Sequence, residues 1–159
     1  MDTPPARGAR PLPPGWHKLR VERLLLLFRH KLLVVTECTV LQSTAPNFTG
    51  LECSYVIPLE IRPMHEMFAD QHLVRLIEAS NGDPRFGKLC DEARRRRFLL
   101  KGGLPWMLTH QEAAFVSEPE KYDEKVVIDD VVILANVQEK QLRTTTRTVN
   151  VVYLAKELP

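Results

Sequence analysis

Two runs rich in β-branched residues, both in the last third of the chain, constrain the fold more than any other feature of the sequence. The first extends from Val126 to Val137 and the second from Thr144 to Tyr153, and neither contains proline. Residues branched at Cβ lose side-chain freedom in a helix and pack well on a pleated surface, so both runs are predicted as strands. A four-residue polar link, 138–141, separates them and makes an antiparallel hairpin the simplest pairing.

The stretch from His17 to Ser43 fits two secondary structures. Its apolar residues satisfy both the alternation of a strand and the spacing of a helix, and leucine favours helix as far as Leu32. Valine and threonine then favour strand from Val34 to Val40. We predict a strand pair that turns near Arg29 and His30, and the alternative is one helix followed by one strand.

A third strand is predicted from Leu51 to Ile61, because apolar residues fall on alternate positions there. Those positions are Cys53, Tyr55, Ile57 and Leu59. Pro58 lies inside this strand and has no N–H to donate to a neighbouring strand. It therefore predicts an edge strand or a β-bulge.

Two helices are predicted between this strand and the β-branched runs, over about 63–81 and 84–101. Each begins with a proline at the first helical position, and an aspartate caps the second. Glycine-containing turns at Asn81-Gly82 and Lys101-Gly102-Gly103 end them. Residues 104–116 are interpreted as a linker with a short helical turn.

These elements predict an α+β protein, in which a mainly antiparallel sheet ends in a C-terminal hairpin and the two helices pack on it. Residues 17–159 then form one domain, and residues 1–16 form a disordered Pro-rich arm with five prolines. A chain of 159 residues, 44% of them apolar, can bury a core of its own.

Net charge, cysteine content and the length of the apolar runs indicate which classes of protein fit this sequence. The net charge of +2 is too small to argue for nucleic acid by itself. The three cysteines form no C-x-x-C pair, which favours a reducing intracellular compartment, the cytoplasm with the nucleus as a second option. No apolar run is long enough to span a membrane. No motif predicts a cofactor or a metal site.

One motif in the arm predicts a docking site for a protein partner. Arg10, Pro11, Pro13 and Pro14 give a basic residue followed by PxxP spacing, as in ligands of SH3 domains. The pattern breaks at Gly15-Trp16, where the motif requires another proline. A solvated tail is the alternative interpretation.

The strongest functional pattern is the basic end of the second helix, which contains Arg94, Arg95, Arg96, Arg97 and Lys101. Four successive arginines point all round a helix, but two or three can share a face with the lysine and present guanidinium groups to phosphate. The alternative is a solvated helix end, where the helix dipole favours cations. The same residues also fit a nuclear-localisation signal.

A second basic set lies on the last predicted strand, where Arg143 and Arg147 share a face. Two cations on a threonine-rich surface suit contact with a nucleic-acid backbone or another anionic surface. The aromatic residues that stack on bases in single-strand binders are missing there. A plain solvated strand is therefore the favoured interpretation.

Acidic residues gather before the hairpin, from Glu118 to Asp130. Six carboxylates face two lysines in this segment, whereas the basic helix end has the opposite excess. Complementary segments of this kind can associate head to tail between copies of a chain. They can equally neutralise each other within one molecule.

The sequence contains no nucleophile elbow, phosphate loop or dinucleotide fingerprint. Its one enzyme-like spacing is Asp123-x-Lys125, which resembles part of a metal-dependent nuclease site but is common in charged proteins. We therefore predict a non-enzymatic interaction protein, an adaptor or a viral accessory or matrix-like protein, that binds a protein partner and associates with itself. The alternative function is a nucleic-acid-binding module built on the arginine-rich helix end.

Overall fold

A computed structural model describes residues 12–59, 63–102, 107–141 and 148–155, with side chains described except at 63–68, 138–141 and 148–155. In these ranges the chain forms an antiparallel sheet and three α-helices, which confirms the predicted α+β class. The elements are, in chain order, β1 (Gly15–Phe28), β2 (Leu32–Ser43), β3 (Glu52–Leu59), α1 (Pro63–Ala79), α2 (Pro84–Leu100), α3 (His110–Ser117), β4 (Glu124–Val127), β5 (Val132–Gln141) and β6 (Thr148–Ala155).

The sheet is organised around β1, the longest strand. Its strand order is β3-β2-β1-β5-β6, and β4 also pairs with β1. The first half of β1 pairs with β5, and its second half, Arg23 to Leu26, pairs with β4. The predicted continuous strand from Val126 to Val137 is therefore two strands. The chain leaves the ladder between Ile128 and Val131 and buries both of these side chains in the core.

The C-terminal hairpin is confirmed as the pair β5–β6. Their register runs from Leu134 opposite Ala155 to Gln141 opposite Thr148. The predicted link at 138–141 is wrong, because these residues belong to β5, and the connection falls at 142–147, outside the described residues. The link contains none of the Gly, Pro, Asn, Asp or Ser residues that favour turns, and polar composition alone does not end a strand.

The stretch from His17 to Ser43 forms the predicted strand pair. The chain turns at Arg29 to Lys31, where the Arg29 N–H donates to the Lys31 carbonyl at 2.9 Å and His30 has φ +69°. The alternative of a helix followed by a strand is wrong. Successive residues from Leu24 to Leu27 are all buried, which is the pattern of a strand covered on both faces.

The third strand also agrees with the prediction. Its alternate residues Cys53, Tyr55, Ile57 and Leu59 are buried, and β3 lies at one end of the strand order. Pro58 is exposed opposite Leu33 of β2. The proline therefore occupies an edge strand, where its missing N–H costs little.

The two predicted helices are present with nearly the expected bounds. Gly82 adopts φ +72° between them, and the Asp83 Oδ1 accepts the Arg85 N–H at 2.9 Å as the cap of α2. Apolar residues of both helices join the strands in the main core. The buried face of α2 contains the predicted residues Phe86, Leu89, Cys90 and Ala93.

A third helix replaces most of the predicted linker. Thr109 caps α3: its Oγ1 accepts the Glu112 N–H at 3.1 Å, and the Glu112 carboxylate accepts the Thr109 N–H at 3.0 Å. This reciprocal capping box satisfies two donors that a helix start otherwise leaves free. The linker prediction is therefore wrong for 110–116, and residues 103–106 lie outside the described ranges.

Candidate functional site

The arginine run divides between the interior and the surface of the protein. Arg96 and Arg97 are each only 8% exposed, whereas Arg94 and Arg95 point outward. Successive residues of a helix point in directions about 100° apart, so four adjacent arginines cannot share one face. Only part of the run therefore lies on the surface, where a guanidinium group can reach a partner.

Arg96 connects α2 to two other parts of the chain. Its guanidinium donates to Glu92 at 2.8 Å, to Glu124 at 2.7 Å and to the Tyr122 carbonyl at 2.6 Å. The same group lies 4.9 Å from the centre of the Phe115 ring of α3. This arginine is fully used in holding α3 and the start of β4 against α2.

The other three arginines also bind carboxylates. Arg97 donates to Asp70 of α1 at 2.8 Å, and Arg94 donates to Asp91 at 3.0 Å. Arg95 bridges Glu92 at 2.8 Å and Glu112 of α3 at 2.9 Å. Each of the four guanidinium groups thus has a carboxylate partner inside the molecule.

These pairs change the titration of the acid at their centre. The hydrogen bond from Arg95 is the main cause that lowers the pKa of Glu92, and Arg96 adds to the effect against the opposing effect of burial. Glu92 therefore stays ionised between two cations. This geometry is that of a structural ion-pair network.

The proposed phosphate contacts consequently have less support than the sequence suggested. A guanidinium that already binds a carboxylate must give up that partner to bind phosphate. Lys101 is exposed just after α2, and Arg143 and Arg147 lie outside the described residues. Phosphate or nucleic-acid contact by these seven residues stays a prediction.

Three of the six carboxylates of the acidic segment are bound by arginines of the same molecule. Asp123 accepts two hydrogen bonds from Arg29, at 2.7 and 3.1 Å, and Asp130 accepts one from Arg85 at 2.7 Å. Glu124 is bound by Arg96, as described above. The acid of the nuclease-like spacing is therefore held in an ion pair.

The structure describes only part of the predicted docking motif. Arg10 and Pro11 lie outside the described residues, and Pro14 is exposed. Leu12 is buried in the main core, and the Pro13 carbonyl accepts a hydrogen bond from His17 Nε2 at 2.7 Å. The end of the motif is thus attached to the domain.

The face of the sheet opposite the helices has a second apolar cluster that the sequence analysis did not identify. It contains Leu25, Leu27 and Val35, with Leu33 packed against them, and none of the helical side chains that the structure describes belongs to it. The signal was present in the consecutive leucines of β1, because a strand without alternation is apolar on both faces.

Charged residues continue this face beyond the apolar cluster. In one row across the strands, Ser54, Glu37, Arg23 and Val127 are register partners. The next row consists of Glu52, Thr39, Arg20 and Val132. Directly opposed residues of neighbouring strands project from the same face. We call these two rows the charged rows.

The charged rows line a cavity of about 470 Å³. Arg23 forms an ion pair with Glu37, which is 6% exposed, and the Arg20 Nε donates to Glu22 at 3.0 Å. At the far end of each row a valine is open to solvent: Val127 is 65% exposed and Val132 is 45% exposed. Exposed apolar side chains beside paired charges are typical of protein interfaces.

Other kinds of site receive no support in the part of the chain that the structure describes. No group of three or more His, Cys, Asp or Glu residues there could hold a metal ion. No described helix has the length and apolar character needed to cross a membrane.

Comparisons with protein-family models, with curated proteins and with solved structures find no match to this chain.

Proposed function

We propose that this protein is a non-enzymatic interaction protein that associates with a second copy of itself through the face of the sheet formed by the charged rows. The observation that carries the proposal is the exposure of Val127 and Val132 beside paired charges on a sheet face to which no described helix contributes core residues. Burying exposed apolar area gives a contact between proteins its main driving force.

Charge supports a protein partner over a nucleic acid. Nucleic-acid affinity depends on cations that replace the counterions of phosphate, and the four arginines of the run already bind carboxylates. The charged rows combine Arg20 and Arg23 with Glu37 and Glu52, so their net charge is close to zero. A surface of this composition favours another protein over a polyanion.

The arrangement of the charges also suits a second copy. In a two-fold interface each patch meets the same patch of the other copy. An axis running between β1 and β2 would place Arg23 of each copy over Glu37 of the other, and Val127 over Ser54. The opposite charges of Arg23 and Glu37 would then meet at the centre of the face, and Val127 would be covered by the other copy.

Sedimentation velocity over a concentration series tests the proposal. We expect a monomer–dimer equilibrium that the double substitution Val127→Asp/Val132→Asp weakens at least about tenfold, since it places charge in an apolar contact. The control is Val74→Asp, which makes the same kind of substitution once, at a position 46% exposed on α1. It should leave the equilibrium unchanged.

Two results would contradict this function. One is a monomer at every concentration. The other is an association that falls steeply with salt and ignores the two valine substitutions, which would indicate the head-to-tail pairing of basic and acidic segments. An adaptor or accessory role requires that the same face bind a different protein. The two valine substitutions would then abolish the binding of that protein.

The nucleic-acid alternative has its own test. Fluorescence anisotropy with single- and double-stranded probes at low salt should show no binding under the proposed function. If binding occurs and falls steeply with salt, Arg143→Gln/Arg147→Gln and Arg94→Gln/Arg95→Gln will show which set contacts phosphate. Loss of binding in either double variant would establish the nucleic-acid-binding function.

A further inference from the structure

All three cysteines of the chain lie in the core on the helix side of the sheet. Cys38 of β2 and Cys53 of β3 are buried directly opposite each other in the antiparallel register. Cys90 of α2 is buried in the same core. All three are reduced thiols. No local sequence pattern indicates this arrangement, because a loop separates the two strand cysteines.

The pair Cys38–Cys53 has the geometry that a disulfide requires. Directly opposed residues of antiparallel strands have Cα atoms about 4.5 to 5.5 Å apart, and disulfides span Cα distances of about 4.4 to 6.8 Å. The two side chains project from the same face, and their thiols are in hydrogen-bond contact. The register therefore places the two cysteines within the span of a disulfide.

We propose that Cys38 and Cys53 form a redox modification site, at which a peroxide oxidises the two thiols to an intramolecular disulfide. In the first step the Cys53 sulfur attacks one peroxide oxygen, an S–O bond forms, the O–O bond breaks and water leaves. In the second step the Cys38 sulfur attacks the sulfenic sulfur, the S–S bond forms, the S–O bond breaks, and the hydroxyl leaves as a second water with the thiol proton. The two sulfurs are oxidised and the peroxide is reduced.

This reaction is slow while β3 stays paired with β2 and both thiols stay buried. The hydrogen bond with Cys53 and burial raise the pKa of Cys38 well above its usual value, and burial raises the pKa of Cys90 to about 11. The thiolate is the reactive form, so protonated buried thiols react slowly. Oxidation therefore requires local opening of β3, which is an edge strand held to the sheet on one side within the described residues.

Once formed, the disulfide would fix β3 to β2. It closes the loop between the two strands and removes loop-closure entropy from the unfolded chain. For a loop of this length and a protein of this size, we expect the midpoint of thermal unfolding to rise by about 5 to 10 °C. The opening of the edge strand, and with it the β3 side of the charged rows, becomes sensitive to oxidants.

Peptide mapping of the full chain after treatment with hydrogen peroxide tests the proposal. Cleavage after glutamate separates the cysteines, because Cys38 begins the peptide 38–52 and Cys53 begins the peptide 53–60. We expect these peptides to be linked without reductant and separate with it. Thiol titration in denaturant should fall from three groups to one.

Cys90→Ser is the matched control and should keep both the link and the rise in the midpoint. Cys53→Ser should lose both, and if this variant does not fold, the map of the natural chain decides alone. Three thiols that survive the oxidant, a link that includes Cys90, or a link between two molecules would each overturn the proposal. None of these results depends on whether the protein forms dimers, so the proposed function is tested separately.

Discussion

The arginine run of α2 and the charged rows of the sheet both contain arginines beside carboxylates, but they differ in how the sequence brings them together. The run consists of four neighbours in sequence that the helix spreads in different directions, to partners on α1, α3 and β4. The charged rows consist of residues far apart in sequence that the strand register places on one face. The number of like charges in a run of sequence therefore does not tell how many of them are available to a binding partner.

Each region also contains an ion pair in which one partner is buried, and the two pairs have different structural tasks. Arg96 joins three segments of the chain, because it binds Glu92 of α2, the stretch from Tyr122 to Glu124, and the Phe115 ring of α3. Arg23 joins two adjacent strands through Glu37. The cost of removing each cation should follow the burial of the acid that it leaves behind.

The largest effect is expected for Arg23→Gln. It leaves Glu37 as a buried acid without its cation, and the free energy of unfolding should fall by about 3 kcal/mol. Urea unfolding followed by circular dichroism measures the change. The double variant Arg23→Met/Glu37→Met should recover most of it, since no buried charge remains. A loss that persists in the double variant would mean that side-chain packing, and not charge, explains the effect.

A smaller loss, about 2 kcal/mol, is expected for Arg96→Gln. Glu92 and Glu124 are more exposed than Glu37, so water replaces part of the lost interaction. Arg94→Gln is the control within the same run. Its partner Asp91 is largely exposed, and its loss should be below about 1 kcal/mol. Equal losses at both positions would contradict the division of the run between interior and surface.

A loss of about 1 kcal/mol is expected for Thr109→Ala, which removes the cap of α3. This helix supplies Glu112 to Arg95 and Phe115 to Arg96, so the change weakens the arginine network without touching an arginine. Hydrogen exchange of the α3 amides should increase. Thr109→Asp should keep the cap and the protection, and an unchanged exchange rate in Thr109→Ala would show that packing alone holds α3.

The smallest effect is a dependence on acid pH. Arg95 lowers the pKa of Glu92 in the folded state, so this pair stabilises the protein fully above the usual value of 4.5 and is lost as the pH falls below it. The free energy of unfolding is measured between neutral and acid pH. Glu92→Gln should reduce its change over this range by less than about 1 kcal/mol. Arg23→Gln should leave this part of the slope in place.

Local structure was predictable wherever one short pattern determines it. Pro58 predicted the edge strand, and the proline after Asp83 predicted the start of α2. The split between β4 and β5 was not predictable, because it depends on where β1 changes its pairing partner. The spacing of Thr109 and Glu112 is that of a capping box and indicates the start of α3, whereas the sequence analysis assigns this stretch to a linker.

By itself, the sequence determined the class of fold, because the spacing of apolar, β-branched, proline and glycine residues acts over a few neighbours along the chain. The tertiary structure alone decided which charges remain available and which cysteines meet. Those properties depend on strand register and helix packing. Strand register brings Arg23 to Glu37 and Cys38 to Cys53, and these partners are too far apart in sequence for a local pattern to predict their contact.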